Sequence, residues 1–304
     1  MDTTEKLIDS STMDDNSWDL LLMRIRAGRC TPFLGAGVNF GYLPLGGEIA
    51  LEWSDKFGYP IKNEIGDLSR VAQFVATEFG DSSAPKEKII ELLAARLSPP
   101  PYGTTDEPLT ALAKLPFRIY LTTNYDDLLF DAFDKQTDKH PKRDICKWYS
   151  SLKVPPSVLV GAFEATTDTP VIYHLHGHNS IPESLVLTED DFLDFLIHMA
   201  QDRNFLPPAI QAALTGTLLF IGYRLADINF RVLFRGLKYV SVLAGRKKSI
   251  AVQLPIDPNA GDKEKAESFI MKYLGKVDVT VYWGDTRTFT KELTQRWEKL
   301  YGPL

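Results

Sequence analysis

Three stretches of this chain join residues that serve chemistry to residues that end secondary-structure elements. Leu121-Thr122-Thr123-Asn124-Tyr125-Asp126-Asp127 offers an amide and two carboxylates, and Tyr173-His174-Leu175-His176-Gly177-His178 offers three imidazoles. Gly222-Tyr223-Arg224-Leu225-Ala226-Asp227 follows a glycine with a cation and an acid. A fourth stretch, Gly35-Ala36-Gly37-Val38-Asn39, ends the apolar run Cys30, Pro32, Phe33 and Leu34. Glycines after a strand admit close backbone approach to a phosphate, so this loop is either a phosphate cradle or a tight structural turn. It is not a full dinucleotide fingerprint, because Phe40 holds the third glycine position and Asp55, near the usual spacing of the acid, falls in a helical pattern.

The other stretches also carry two readings each. Asn124 and Asp126 can cap a helix, with Asp126-Asp127 complementing its dipole, or can face a ligand. His174, His176 and His178 alternate, which would place all three on one face of a continuing strand, although Gly177 breaks the pattern between the second and third. They read as a metal site, as one catalytic or ligand-contacting histidine, or as polar packing. Thr188-Glu189-Asp190-Asp191 before Phe192 reads as a capped helix start.

The elements that must position these residues alternate. Apolar, β-rich runs occur at Phe117 to Thr123, Val171 to Leu175, Thr217 to Gly222, Ile250 to Leu254 and Val277 to Trp283, with a weak extra at Ile145 to Tyr149. Helical patterns lie near Asp126 to Phe133, Glu189 to Ala200, Pro207 to Leu214, Asp227 to Leu243, Lys263 to Leu274 and Thr288 to Leu300. Such alternation predicts an α/β fold, a mostly parallel sheet with helices on both faces, where ligands bind outside the carboxyl ends of the strands. Between the first strand and the second, residues 46–115 are helical in pattern, with Pro85 suited to a first turn and Pro99-Pro100-Pro101 to a stop. A helical subdomain is therefore inserted there. Residues 1–16 read as an acidic, mobile leader, and Ser17 as the cap of the first helix in a domain running over 17–304.

Composition narrows the class. With 304 residues, 44% of them hydrophobic, the chain can bury a substantial core, and its formal net charge of -6 argues against a nucleic-acid or anionic-membrane surface. Arg246-Lys247-Lys248 reads as a solvated loop. Two cysteines, Cys30 and Cys146, cannot build a four-cysteine zinc site or a disulfide framework. No run approaches the roughly 20 apolar residues of a membrane span, and the acidic start is unlike a secretory signal. These features predict a cytoplasmic protein without a four-cysteine zinc site.

Read together, five segments resemble the sirtuin family, and specifically its zinc-less prokaryotic sirtuin-like branch: PFLGAGVNF at 32–40, LTTNYDDLL at 121–129, VIYHLHGH at 171–178, VLTEDDFLDF at 186–195 and LFIGYRLADINF at 219–230. The resemblance implies a Rossmann-like domain with a helical insertion that binds NAD+. It implies that Gly35, Ala36 and Gly37 approach the pyrophosphate with Asn39 in the same loop, and that Asn124 orients the nicotinamide ribose and the attacking water. Asp126 would contact the nicotinamide amide and His176 would act as general base. Gly222 would line the adenosine half, with Arg224 and Asp227 nearby; no role carries over to His174 or His178. The chain departs from the family at Asn39, where serine is usual, and in lacking the cysteines of the zinc module that supports an acyl-lysine cleft.

The resemblance therefore implies an NAD+ glycohydrolase, with NAD+ as substrate and no zinc, from a branch associated with antiphage defence. A deacylase or ADP-ribosyltransferase, and a non-catalytic NAD sensor, are the alternatives; an oxidoreductase is disfavoured by the missing third glycine. Because unchecked hydrolysis of NAD+ is toxic, activity is expected to be gated by homo-oligomerisation or by a separate sensor, such as a HerA-type ATPase or an Argonaute-like protein. No appended sensor domain is visible before Leu304.

Overall fold

The run from Cys30 to Leu34 forms β1 (Cys30–Leu34), buried along its whole length. The computed structural model describes residues 13–104, 106–202, 205–224, 248–255 and 262–304, with positions 232, 233 and 236. β1 is the middle strand of a seven-stranded sheet. The others are β2 (Ile119–Thr122), β3 (Lys142–Ile145), β4 (Val171–His174), β5 (Thr217–Ile221), β6 (Ser249–Gln253) and β7 (Val279–Trp283). Their order is β3-β4-β2-β1-β5-β6-β7, and every pairing is parallel. The chain lays β2 beside β1, β3 at the edge and β4 between β2 and β3, then returns to add β5, β6 and β7 on the other side, so β1 marks the point at which the strand order reverses.

Buried on both faces, the strands send successive side chains to opposite layers. Leu34, Tyr120, Ile172 and Leu219 join one core with α1 (Asp15–Arg26), α5 (Pro108–Lys114), α6 (Leu128–Gln136) and α10 (Thr286–Tyr301). Phe33, Leu121, Tyr173 and Phe220 join the other with α7 (Glu189–Gln201), α8 (Pro208–Leu214) and α9 (Lys263–Gly275). The insertion supplies α2 (Gly46–Phe57), α3 (Leu68–Phe79) and α4 (Ala84–Arg96). These helices bury Ile49, Trp53, Val71, Val75 and Ile89 around Leu185 and Leu187, so the insertion's core includes the loop that follows the histidines. Among the described residues no helix is long and apolar enough to cross a membrane.

Several boundaries differ from the sequence pattern for local reasons. The first helix is capped by Asp14, whose carboxylate accepts from the Ser17 N–H at 2.8 Å, so the helix starts before Ser17. The weak strand at Ile145 to Tyr149 is displaced: β3 precedes it, as a charged edge strand that needs no apolar alternation. Cys146 and Trp148 bury from the following loop, with the Trp148 indole donating to the Ser184 carbonyl at 2.8 Å. The helix read from Asp126 begins at Leu128. Pro85 lies in the first turn of α4. Most of the pattern from Asp227 to Leu243, and leader residues 1–12, lie outside the described residues.

One buried ion pair ties the insertion to the layer over the sheet. Lys86 of α4, 7% exposed, donates to Asp191 Oδ1 at 2.7 Å. The other oxygen of Asp191 accepts from the Leu187 and Thr188 N–H groups and so also closes the capping box of α7. Removing one partner of a buried pair strands the other charge at a cost of about 3–5 kcal/mol. Lys86→Ala is therefore expected to lower unfolding stability by about 3 kcal/mol, since Asp191 keeps its two N–H donors. Urea denaturation of the variant beside wild type measures this.

Candidate functional site

The site is assembled by strand register. Leu34 lies opposite Thr122 on one side and Ile221 on the other, and Thr122 lies opposite His174, so four strand ends form one row. The ladder runs one residue further: Gly35 N–H donates to Ile221 O at 2.9 Å, Thr123 N–H to Leu34 O at 3.0 Å and Leu175 N–H to Thr122 O at 2.8 Å. The stretches singled out by their chemistry thus leave the sheet side by side, on the rim where β1 reverses the strand order.

The two glycine loops pack directly on each other. A Cβ at Gly35 would lie 2.8 Å from Gly222 O, and one at Gly37 would lie 2.8 Å from the Gly222 Cα. Gly222 has φ +80°, and a Cβ there would fall 2.4 Å from the Val38 nitrogen. Gly37 N–H donates to Gly222 O at 3.0 Å and Val38 N–H to Gly35 O at 3.0 Å. In this structure the glycines are required by loop-on-loop contact, and the N–H groups of Gly35 and Gly37 are engaged by protein carbonyls. Ala36 is exposed at the mouth. Tyr223 follows Gly222 and anchors the pair, its hydroxyl 2.9 Å from Leu34 O and 2.8 Å from Thr123 Oγ1. Arg224 is exposed beyond it, and Asp227 lies outside the described residues.

Asn124 is held from three directions. Its N–H donates to Thr122 Oγ1 at 3.0 Å, its side-chain amide donates to Gly35 O at 3.2 Å, and its carbonyl meets His174 Nδ1 at 3.0 Å. Asp126 Oδ1 accepts from the N–H of Leu128, the first residue of α6, at 3.0 Å, and Oδ2 accepts from Asn39 Nδ2 at 2.7 Å. Asn39 is 3% exposed, and its Oδ1 has no hydrogen-bond partner among the described residues. Asn39, Asn124, Asp126 and His174 line a cavity of about 10 Å³, with Leu34 and Phe130 as apolar walls.

The three histidines do not share a face, because the strand ends at His174, ahead of the second histidine. Gly177 follows with φ +84°, where a Cβ would collide with Ser184 O. His174 stays on the cavity side. His176 turns to the opposite layer, its ring 5.2 Å from Phe195 and 5.7 Å from Phe192, and its buried Nε2 has no partner among the described residues. Burial lowers its pKa to about 4, so the ring is neutral at physiological pH. His178 is 1% exposed; its Nε2 faces Asp127 Oδ1 at 3.0 Å and its Nδ1 accepts from the Ser180 N–H at 3.2 Å. Arg143 of β3 pairs with the same Asp127 oxygen. Burial raises the Asp127 pKa, but its bonds and charge contacts with His178 and Arg143 outweigh this and leave it lowered. Among the described residues no group of three or more His, Cys, Asp or Glu side chains is arranged to hold a metal ion.

Sequence reasoning left His174 without a specific role and gave none to Tyr223 or to Tyr125, whose hydroxyl donates to Val186 O at 2.7 Å and links the Asn124 loop to the insertion's core. His174 carried a usable signal, since a histidine ending a strand beside the Asn124 strand is placed on the same rim.

Burial is the main cause that lifts the Asp126 pKa from 3.8 to about 6, partly opposed by the backbone N–H bonds it accepts. A carboxyl that binds its proton more tightly in the folded state favours folding while protonated. That contribution is complete below pH 3.8 and is lost as pH rises through about 6. Wild-type stability relative to Asp126→Asn is therefore expected to fall across this window and level off above it. Denaturant titrations of both proteins from pH 3.5 to about 7.5 measure the difference.

A family model described as SIR2-like domain matches residues 118–277. A protein named NAD(+) hydrolase ThsA from Acinetobacter baumannii (strain 532279) is 24% identical over 291 residues, covering 91% of this chain and 55% of the relative. Proteins of the same name from Bacillus cereus (strain MSX-D12) and Enterococcus faecium are each 27% identical, over 210 and 223 residues. These alignments cover 65% and 71% of this chain and 37% and 41% of the relatives. The chain thus spans about 37% to 55% of the length of these curated relatives. The matched region starts beside β2 and includes Asn124, Asp126, the three histidines and Gly222, and on that match this chain belongs to the SIR2-like domain family.

Proposed function

We propose that this protein is an NAD+ glycohydrolase that releases nicotinamide and ADP-ribose, and that it serves as an NAD-depleting effector of bacterial antiphage defence in the cytoplasm. The observation that carries this reading is the register row. It places the Asn124 amide against the Gly35 carbonyl, at the rim where the two glycine loops meet, in a family with relatives named NAD(+) hydrolase. The unmatched Asn39 Oδ1 and the Asp126 carboxylate are acceptors lining one cavity, which suits a ligand bearing a carboxamide NH2. His176 Nε2, two residues past the end of β4, is a second buried polar atom without a partner among the described residues.

The reaction asks little of an acid. The C1′–N bond breaks through an oxocarbenium-like state, as in glycoside hydrolysis, and its electron pair leaves on the ring nitrogen, turning a cationic pyridinium into neutral nicotinamide. Water oxygen bonds to C1′, and one proton must be removed. Asn124 would orient that water and the ribose; a neutral His176 would take the proton. Gly35, Ala36, Gly37 and Gly222, with Arg224 and Asp227 beyond, would follow the rest of the dinucleotide.

A cavity of about 10 Å³ has room for about one water. A nicotinamide ring needs far more, so in this reading the cavity widens before substrate enters. This supports gating by self-assembly or by a separate activating protein, either of which could supply the free energy of opening.

The test is incubation with NAD+, alone and with the products of neighbouring genes, following nicotinamide and ADP-ribose by chromatography. Asn124→Ala and His176→Ala are each expected to lower kcat by about 10²–10⁴-fold. Intact NAD+ in every preparation, with binding still detected by calorimetry, would replace this reading with that of a sensor; turnover that required an acylated peptide would replace it with a deacylase.

A further inference from the structure

His174 has no role in the reading above, yet it is the histidine that lines the cavity and touches Asn124. The Asn124 carbonyl can only accept, so the proton must sit on His174 Nδ1. The ring is 2% exposed and is backed by His178, whose ring meets it edge to face at 4.7 Å. His178 is itself fixed: the Ser180 N–H donates to Nδ1, which leaves the Nε2 proton pointing at Asp127, and Arg143 holds Asp127 from the other side. A chain of contacts thus runs from the edge strand β3 through Asp127, His178 and His174 to the Asn124 peptide.

We propose that His174 is a positioning residue of the site: by donating from Nδ1 to the Asn124 carbonyl it fixes the orientation of that peptide and hence the direction of the Asn124 amide. The proposal rests on the proposed function in taking Asn124 as the residue that orients the reacting ribose and water. Three bonds hold Asn124, from Thr122, Gly35 and His174; the Thr122 and His174 side chains both line the cavity, and of the three the His174 bond is the one made to the Asn124 carbonyl. Burial brings the His174 pKa down to about 3, which keeps the ring neutral across the working pH range, and the Asn124 carbonyl at Nδ1 selects the tautomer. Misplacement of a reacting group by about 1 Å can cost about 100-fold in rate. Loss of this bond is thus a kinetic defect as well as a structural one.

Three variants and one spectroscopic measurement test this. His174→Phe keeps the ring and removes the donor, and is expected to lower kcat by about 10- to 100-fold with KM little changed. His174→Asn can place an amide donor near the Nδ1 position and is expected to recover most of that loss. In an Asn124→Ala background, His174→Phe should cost less than about 2-fold more, because a residue acting through Asn124 has nothing left to position. A full, additive loss in that background would overturn the proposal, as would a His174→Phe variant that is less stable with kcat unchanged. The ¹⁵N imidazole spectrum of the wild-type chain at neutral pH needs no turnover and is expected to show His174 as the Nδ1–H tautomer. The Nε2–H tautomer would remove the hydrogen bond and the proposal with it. Should NAD+ remain intact in every assay, the proposed function falls, and the tautomer alone decides whether His174 holds the Asn124 peptide.

Discussion

Everything at this site depends on parallel strands paired so that four of them end in the same row. Backbone hydrogen bonds set that register, with β1 matched to both β2 and β5, and β2 to β4. A shift of one residue in any pairing would turn a strand's side chains to the other face. Leu34 would then leave the core it shares with Tyr120 and Ile172, and the Gly35 loop would no longer meet Gly222. The apolar alternation that fills two cores is thus the same feature that brings an amide, carboxylates and imidazoles to one rim.

The glycines show how one sequence feature can satisfy two demands. A cradle for phosphate and a close loop-on-loop contact both need residues without a Cβ. Here the contact is made: Gly35, Gly37 and Gly222 interlock, and Tyr223 pins the junction to the end of β1 and the start of the Asn124 loop. The result is a site whose polar parts are assembled but whose space is small.

The inserted helices contribute through the loops they bury. Leu185 and Leu187 belong to the insertion's core, and Lys86 meets the cap of α7, the helix carrying Phe192 and Phe195 against His176. Tyr125 reaches the same loop from the Asn124 side. The insertion therefore borders both arms of the site, and a displacement of it would be felt at His176 and at Asn124 together.

The sequence alone determined the layered α/β architecture, because buried parallel strands need continuous apolar runs and their crossovers need helical ones. It also determined the place of the insertion and the strand ends at which unusual residues collect. Asn124, Asp126 and Asn39 were legible as polar residues just past buried strands, and the structure brings the three to one cavity. What only the tertiary structure decided was direction. Alternation suggested one face for three histidines, but Gly177 requires a turn fitted against Ser184, and that turn sends His174 to the cavity and His176 to the aromatic side of α7. Edge strand β3 was misplaced for a related reason: its charged residues carry no period, and the apolar Cys146 and Trp148 beside it bury from a loop. Period and composition record which residues leave water. Which neighbour each one meets depends on contacts distant in sequence, such as His174 with Asn124 and Gly35 with Gly222, and no local pattern encodes those.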